Sequence, residues 1–290
     1  MTPILDMARH IKARLRNSLW PQAYAPANFQ SRDPAALERD VGYALQIAVN
    51  QMAHIQKIGF SLAGKKILEL GPGSDFGPQL IFASLGAKVT VADRFLAPWD
   101  QHYHPQFYRM LRARWDGPAP ALDAVIEANG YPSEAIGQIA LAGEQLNRVP
   151  AGSFDFVLSN AVLEHVHDLP QVARNLALIT RSPGLNMHQI DFRDHSDFSR
   201  PLEFLLLSDR AHAEIFRRRN GECGNRLRAS EASLHFQAAG FAVDAIEQNG
   251  LADENYLREF LPRLRQSRSV YRDWPAEDLR IISALFTLRK

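Results

Sequence analysis

One segment constrains the fold more than any other: a short apolar strand that runs directly into a glycine turn. The strand covers residues 65–70, and the turn is Gly71-Pro72-Gly73. A helical segment follows at 77–85, and a second apolar strand at 87–93 ends in Asp93. This order of strand, glycine turn, helix and strand predicts a βαβ unit, which requires a parallel sheet.

Later segments extend the same alternation. Apolar runs predict further strands and helices, namely strands at 136–141, 154–159, 185–191, 240–246 and 281–288 and helices at 35–60, 169–179 and 232–239. The chain is therefore predicted to be an α/β protein with a mostly parallel sheet flanked by helices.

Three regions lie outside this alternation. Residues 1–60 are predicted to be a helical N-terminal extension, and 61–290 the α/β domain. Two insertions, at about 95–134 and 192–230, are predicted to form a cap over its pocket. Within the extension, 4–20 has the pattern of a basic amphipathic helix. Packing on the core or on a second subunit is favoured for it, and contact with an anionic membrane surface is the alternative; the oligomeric state stays open.

Composition excludes several classes of protein. The formal net charge is +1, so no overall attraction to nucleic acid is expected. The single cysteine, Cys223, excludes an intrachain disulfide and a metal site made of several cysteines. No apolar run approaches the roughly 20 residues that span a bilayer. These features, with no signal-peptide pattern, predict a cytoplasmic protein.

The glycine turn also carries information about a ligand. Glycines at 71 and 73 allow a tight turn and close approach of the backbone to a bound molecule. The third glycine of this stretch, Gly77, comes one residue later than in the dinucleotide-binding pattern. The carboxylate of Glu69 would repel a pyrophosphate but would suit a cationic amino group. A nicotinamide-dependent oxidoreductase is therefore disfavoured.

Two motifs together resemble one enzyme superfamily. Residues 67–77 resemble motif I of class I S-adenosylmethionine-dependent methyltransferases, and 152–166 resemble the fourth-strand motif of the same superfamily. Gly240-Phe241 and the strand at 281–288 match its sixth and seventh strands. The resemblance implies a Rossmann-like fold with a seven-stranded sheet, S-adenosylmethionine as cofactor, and methyl transfer as the activity.

The resemblance also implies which residues hold the cofactor. They are Glu69, Gly71, Pro72 and Gly73 for the methionine part, Asp93 and Arg94 for the ribose, Glu144 for the adenine, and Asn160 and Ala161 near the sulfonium. The family usually has an acid after the third strand, where simple alignment places Gly143. Glu144 is the substitute at that point.

Candidate catalytic residues are concentrated in 188–195, at the carboxyl end of the fifth strand. We expect His195 or His188 to act as general base, oriented by Asp191 or Asp194. His165, in the fourth-strand motif, is a further candidate. A purely structural network is the alternative. A third interpretation is that His188, Asp191 and His195 bind a divalent ion, but no metal is assigned.

The acceptor is less constrained. The segments 188–195 and 225–230 are similar to bacterial methyltransferases associated with surface polysaccharide or lipid-linked sugars, which implies a phosphorylated or glycan acceptor. We expect a small-molecule or glycan acceptor, methylated at oxygen. Arginines at 217–219 and in 225–228 would bind an anionic acceptor or pair with nearby acids, the second being favoured. The alternatives are an RNA methyltransferase, which would need a basic channel with stacking aromatic residues, and a noncatalytic cofactor-binding scaffold.

Overall fold

The structure, a computed structural model, describes residues 33–219 and 221–290. The predicted helix at 4–20 lies outside these residues. Helices and strands follow one another in the order α1 Pro34–Lys57, β1 Lys66–Leu70, α2 Gly77–Ser84, β2 Lys88–Ala92, α3 His104–Arg114, α4 Pro120–Ala128, β3 Gly137–Ile139, β4 Phe154–Asn160, α5 Leu169–Ile179, β5 Thr180–Asp191, α6 Asp209–Arg218, α7 Ala229–Ala238, β6 Ala242–Leu251, α8 Glu254–Arg265, α9 Ala276–Leu279 and β7 Ile281–Arg289. Short 3₁₀ turns lie at Gly143–Arg148, Leu163–His165 and Glu203–Leu206.

The strands form one seven-stranded sheet in the order β3-β2-β1-β4-β5-β7-β6. β1 pairs in parallel with β2 and with β4, and β2 pairs in parallel with β3. β7 runs against β5, because Phe192 N donates to Ile282 O at 2.9 Å while Lys290 N donates to Gly184 O at 3.0 Å. The predicted Rossmann-like fold with a mostly parallel sheet is confirmed.

The described chain divides into two compact units. The first unit comprises 33–160, 175–187 and 289–290. Its longest helix, α1, begins where the Asp33 carboxylate accepts a hydrogen bond from Ala35 N at 3.0 Å, with Pro34 in the first turn. The helix then buries one face, formed by Leu37, Val41, Ala44, Ala48, Gln51 and Ile55 among others.

The predicted insertion at 95–134 supplies much of the first unit's core. It forms α3 and α4, as its length had suggested. Phe107, Tyr108 and Leu111 from α3 are fully buried together with Leu122 and Val125 from α4. Aromatic residues in this segment therefore stabilise the unit through apolar burial, and its role as a cap remains a prediction.

The second unit comprises 161–174, 188–219 and 221–288. Its apolar core joins the turn at Glu203–Leu206 to α8 and α9, through residues that include Leu202, Phe204, Leu205, Phe260, Leu264 and Leu279. The sequence analysis assigned no element to 247–280, where the structure has the end of β6 followed by α8 and α9. The amphipathic pattern of α8 is interrupted by Pro262, which disfavours a helix in sequence reasoning.

β5 is longer than predicted, since it begins at Thr180 and not at 185. Within the added residues, Gly184 O accepts a hydrogen bond from Lys290 N at 3.0 Å. No helix within the described residues combines the length and the apolar character needed to cross a bilayer. The division into 1–60 and 61–290 remains a prediction.

Candidate active site

The glycine turn lies where β1 ends. Gly71 and Gly73 have φ angles of 69° and 76°, in the left-handed region that residues with a Cβ rarely adopt. Gly71 N donates to Ala92 O at 2.8 Å, which ties the turn to the end of β2. The backbone thus turns sharply at the carboxyl edge of the sheet, as the motif predicted.

The strand register brings three predicted cofactor residues to this edge. Leu70 pairs with Ala92 on β2 and with Ser159 on β4. Gly71, Asp93 and Asn160 each follow directly after one of these paired residues. They therefore stand at adjacent positions along one edge of the sheet.

A crevice of about 300 Å³ opens beside the turn. Its lining comes from α1, the end of β1, the glycine turn, the start of α2, the residue before α3 and the end of β4. The residues are Asp40, Tyr43, Ala44, Ile47, Glu69, Gly71, Pro72, Gly73, Ser74, Asp75, Pro78, Gln79, Tyr103 and Asn160. Five predicted residues are among them: Glu69, Gly71, Pro72, Gly73 and Asn160. The volume falls at the lower end of the range of ligand pockets.

The other predicted cofactor residues do not line this crevice in the described part of the first unit. Asp93 accepts a hydrogen bond from Phe95 N at 2.7 Å, and the Arg94 guanidinium lies 5.0 Å from the Phe95 ring centroid. Glu144 lies in the turn that Asn175 holds by donating to the Gly143 and Glu144 carbonyls. Ala161 belongs to the second unit and has a φ of 55°.

Glu69 is the most unusual residue of the crevice. Its side chain is 2 % exposed, and burial raises the pKa of its carboxyl to about 7, against hydrogen bonds from Gln79 and Gln51 that lower it. Its Oε2 atom has no hydrogen-bond partner among the described residues. A buried carboxylate oxygen without a donor is rare in proteins, so this atom is poised for a cationic donor.

The crevice is acidic beyond Glu69. Burial raises the pKa of Asp75 to about 7, with Asp40 contributing a like charge. Asp40 also accepts a hydrogen bond from the Tyr103 hydroxyl at 3.0 Å. The described lining contains three carboxyl groups and no lysine or arginine. Such a wall attracts a cation and repels a diphosphate, which agrees with the inference drawn from Glu69 alone.

His104 of α3, which is fully buried, contacts the glycine turn. Its Nδ1 accepts from Asp100 N at 2.7 Å, so its Nε2–H donates to Ser74 O at 3.1 Å. Desolvation lowers the pKa of His104, which keeps the ring neutral. The ring also stacks on Trp99, with centroids 5.0 Å apart.

We therefore expect His104→Phe to loosen the turn while keeping the aromatic packing. Two partly buried backbone groups would lose a partner, so the free energy of unfolding should fall by about 1–3 kcal/mol. Chemical denaturation measures this loss, and calorimetry with S-adenosylmethionine should show weaker binding. Unchanged stability and binding would mean that Ser74 and Asp100 find other partners.

Several residues of the crevice escaped the sequence analysis. Gln51 and Gln79 contact Glu69 from α1 and α2, and Asp40 and Tyr103 come from α1 and from the segment before α3. Nothing local marks them, because isolated glutamines and acids on a helix are ordinary surface residues in sequence. Asp75 stands inside the recognised motif, and its position between Gly73 and Gly77 was the one available signal.

The predicted catalytic residues all lie in the second unit, but in two different settings. His188 is fully buried, its ring stacks on Phe236 with centroids 5.7 Å apart, and desolvation lowers its pKa to about 3. Asp191 and His195 stand closer to solvent, with side chains 13 % exposed and His195 Nε2 3.6 Å from Asp191 Oδ2. The structure thus places His188 in packing and His195 next to a carboxylate.

Asp191 is held firmly by a neighbour. Arg193 Nε donates to both its oxygens, at 2.9 and 3.0 Å, and Arg193 Nη2 donates to Oδ2 at 2.5 Å. Against desolvation, which raises it, the hydrogen bonds from Arg193 hold the Asp191 pKa well below its usual range. Asp194, the other predicted orienting acid, accepts instead from Ser196 N at 2.9 Å. Asp191 is therefore the acid next to His195.

A second acid in this region was not singled out from sequence. Glu164 is 1 % exposed, and burial raises its pKa to about 8, with the charge of Asp191 adding to the rise. The neighbouring His165 has Nδ1 2.9 Å from Gly221 O, and its ring lies 4.9 Å from that of His195. Glu164, His165 and His195 thus form a compact group, which we call the EHH cluster.

The arginines offered as ligands for an anionic acceptor are engaged within the protein. Arg217 and Arg218 pair with Glu214 at 3.0 and 2.5 Å, and Arg226 pairs with Asp209 at 2.6 Å. Arg228 is fully buried and donates to the carbonyls of Phe192 and Leu227. The favoured interpretation, pairing with nearby acids, agrees with the contacts of Arg217, Arg218 and Arg226, whereas Arg228 is buried against backbone carbonyls.

Comparison with known proteins gives one family. A family model described as "Methyltransferase domain" matches residues 38–246. No curated protein matches the chain.

Similar solved structures include an S-adenosylmethionine-dependent methyltransferase from Mesorhizobium loti, with 16 % identity, a TM-score of 0.47, and coverage of 79 % of this chain and 93 % of that one. The 1,6-didemethyltoxoflavin-N1-methyltransferase from Burkholderia thailandensis has 13 % identity and a TM-score of 0.45, with 100 % and 91 % covered. The phosphoethanolamine N-methyltransferase 2 from Haemonchus contortus has 16 % identity and a TM-score of 0.47, with 83 % and 52 % covered.

Proposed function

Because the chain belongs to the methyltransferase domain family and is an S-adenosylmethionine-dependent enzyme, we propose that it methylates an oxygen atom of a small-molecule or glycan acceptor. The single observation that carries the cofactor part of this proposal is Glu69. It is a buried acid whose Oε2 has no partner among the described residues, in a crevice lined by acids.

The residues of the crevice fit the amino-acid end of the cofactor. Its ammonium group matches the acidic wall, and Glu69 Oε2 is the acceptor that lacks a donor in the described chain. The turn at Gly71, Pro72 and Gly73 leaves room for close backbone approach, since a Cβ built at Gly73 would meet nothing within 4 Å. Asn160, at the end of β4, lines the same crevice.

The remaining cofactor contacts rest on the resemblance and on register. Asp93 follows β2 at the edge where Gly71 turns, and it would accept hydrogen bonds from the ribose hydroxyls, with Arg94 beside it. Glu144 would bind the adenine amino group, and Ala161 would contact the cofactor near its sulfonium. These roles are supported by strand order and not by a contact with the crevice.

The chemistry divides between cofactor and protein. When bound, the cofactor supplies an activated methyl group, and the electron pair of the broken carbon–sulfur bond stays on sulfur. The protein must orient the acceptor and remove its hydroxyl proton. We assign proton removal to the second unit, where His195 stands beside Asp191. His188 is set aside as a base because its ring is fully buried, and His165 is a neighbour of the reacting group.

The acceptor class is inferred from charge and from the sequence. The acidic crevice and the net charge of +1 disfavour a polyanionic nucleic acid. The small-molecule or glycan class, the choice of oxygen, the cytoplasmic location, and membrane contact through residues 4–20 remain predictions from sequence.

The test supplies S-adenosylmethionine labelled in its methyl group, with the purified full chain, to fractionated cell extract. We expect label in a small-molecule or glycan fraction, resistant to ribonuclease and to protease, with stoichiometric S-adenosylhomocysteine. Glu69→Gln at matched concentration is the control for methyl transfer by contaminants. Label that ribonuclease releases would make RNA the acceptor. Cofactor binding without any turnover would support the scaffold alternative.

A further inference from the structure

The EHH cluster in the second unit has the composition of a metal site. One carboxylate oxygen of Glu164 and one imidazole nitrogen each of His165 and His195 lie within 4.8 Å of one another. Two imidazoles and one carboxylate are a ligand set used by zinc and by other divalent transition metals in catalytic sites. We propose that Glu164, His165 and His195 bind a divalent transition-metal ion.

The hydrogen bonding of the cluster supports a cation at this position. Both carboxylate oxygens of Glu164 and the Nε2 atom of His195 are buried, and none of the three has a hydrogen-bond partner in the part of the chain that the structure describes. Buried polar side-chain atoms are almost always partnered, since desolvation is costly without compensation. Three such atoms in one cluster are explained together if a single cation satisfies them.

His165 has the orientation that metal-binding histidines adopt. Because a carbonyl oxygen can only accept, Nδ1–H of His165 donates to Gly221 O at 2.9 Å. This bond makes Nε2 the ligand nitrogen, as in sites where the second ring nitrogen is fixed by a backbone carbonyl. The protein thus holds one ligand in position before the ion binds.

The acids and cations around the cluster do not already neutralise Glu164. Arg193 is committed to Asp191 by three hydrogen bonds. Asp191 lies 3.6 Å from His195 Nε2, beyond hydrogen-bond distance, so it would position His195 or complete the ligand set. The cluster differs from the set weighed from sequence: His188 is buried on Phe236 and lies outside it, and Glu164, which the sequence did not single out, supplies the carboxylate.

The catalytic role of the ion rests on the proposed function. Three protein ligands leave at least one coordination position for another oxygen, as in catalytic zinc sites. A Lewis acid at this position would lower the pKa of an acceptor hydroxyl, whose proton passes to water while the oxygen lone pair forms the new bond to the methyl carbon. His195 would then act as a ligand and not as the base.

The experiment uses the full chain, freed of metal by chelator and dialysis, and titrates it with Zn²⁺, Mn²⁺ and Co²⁺ separately. We expect one ion per chain, a melting temperature that rises with metal concentration, and a visible absorption band with Co²⁺. Glu164→Gln and His195→Asn should each weaken binding by at least about 100-fold. His235→Asn, which removes an imidazole from α7 outside the cluster, should bind as the wild type does.

Circular dichroism and cooperative thermal unfolding of the full chain check that each variant is folded. Wild-type protein that binds none of the three ions would overturn the proposal, as would folded Glu164→Gln and His195→Asn variants that bind like the wild type. Methyl transfer that persists in chelator, with no ion bound, rejects the metal and leaves the proposed function standing. An ion bound at the cluster without any methyl transfer supports the metal site and rejects the proposed function.

Discussion

Glu69→Gln is expected to raise the dissociation constant for S-adenosylmethionine by about 10- to 100-fold, the usual value of a hydrogen bond to a charged group. The substitution keeps the size and shape of the side chain, so the loss reports the charge at Oε2. Isothermal titration calorimetry measures it, with Glu127→Gln, an exposed acid on α4, as the matched control. We expect the control to bind like the wild type.

The same substitution should stabilise the cofactor-free protein at alkaline pH. The folded pKa of Glu69, about 7, lies above the ordinary value of 4.5, so the folded state keeps a proton that the unfolded state releases. The contribution of the protonated group is complete below pH 4.5 and is lost as pH rises through 7. Glutamine does not titrate, and at pH 8 the variant should gain on the order of 3 kcal/mol.

Weaker cofactor binding together with higher stability at pH 8 distinguishes a ligand-binding acid from a merely structural one. Denaturation of wild type and variant at pH 5 and pH 8 should show the gain only at the higher pH. In the wild type, cofactor affinity should rise through pH 7, because the ammonium group binds the ionised carboxylate. A variant that loses stability at pH 8, or binds the cofactor as well as the wild type, would contradict the role of Glu69.

His195→Asn is expected to lower kcat by about 10²- to 10⁴-fold, the range for loss of a proton-transfer group, while the affinity for S-adenosylmethionine stays unchanged. The side chain is only 13 % exposed and stands beside Asp191, whereas the cofactor crevice is lined by residues of the first unit. Single-turnover kinetics with the labelled acceptor gives the rate, and calorimetry gives the affinity. His235→Asn is the control for removing an imidazole from this unit.

The two roles proposed for His195 make different predictions in the same assay. If the imidazole accepts the proton directly, the wild-type rate is insensitive to chelator. If His195 is a metal ligand, chelator abolishes wild-type turnover and added metal restores it. A variant with wild-type turnover would remove His195 from the mechanism in either form.

Sequence reasoning went furthest where the determining chemistry is local. The glycine turn was recognised because left-handed backbone at Gly71 and Gly73 needs glycine, and the mostly parallel sheet followed from the βαβ alternation. Glu69 was identified because it immediately precedes that turn. Its environment was not, because Gln51 reaches it from a helix that is adjacent only after folding.

The choice between His188 and His195 shows a second limit. His188 lies near the end of β5 and His195 shortly after it, and a strand covered on both faces has no polar side in its sequence. The structure separates them by burial: His188 is packed against Phe236, and His195 stands next to Asp191.

The sequence by itself therefore determined the parallel α/β core, the glycine turn and the acid that precedes it, because each depends on residues adjacent in the chain. Only the tertiary structure decided what surrounds that acid, and which of the histidines joins Glu164 in the EHH cluster. Glu164 and His195 are brought together by chain segments that are far apart in sequence, and no local pattern encodes a contact of that kind.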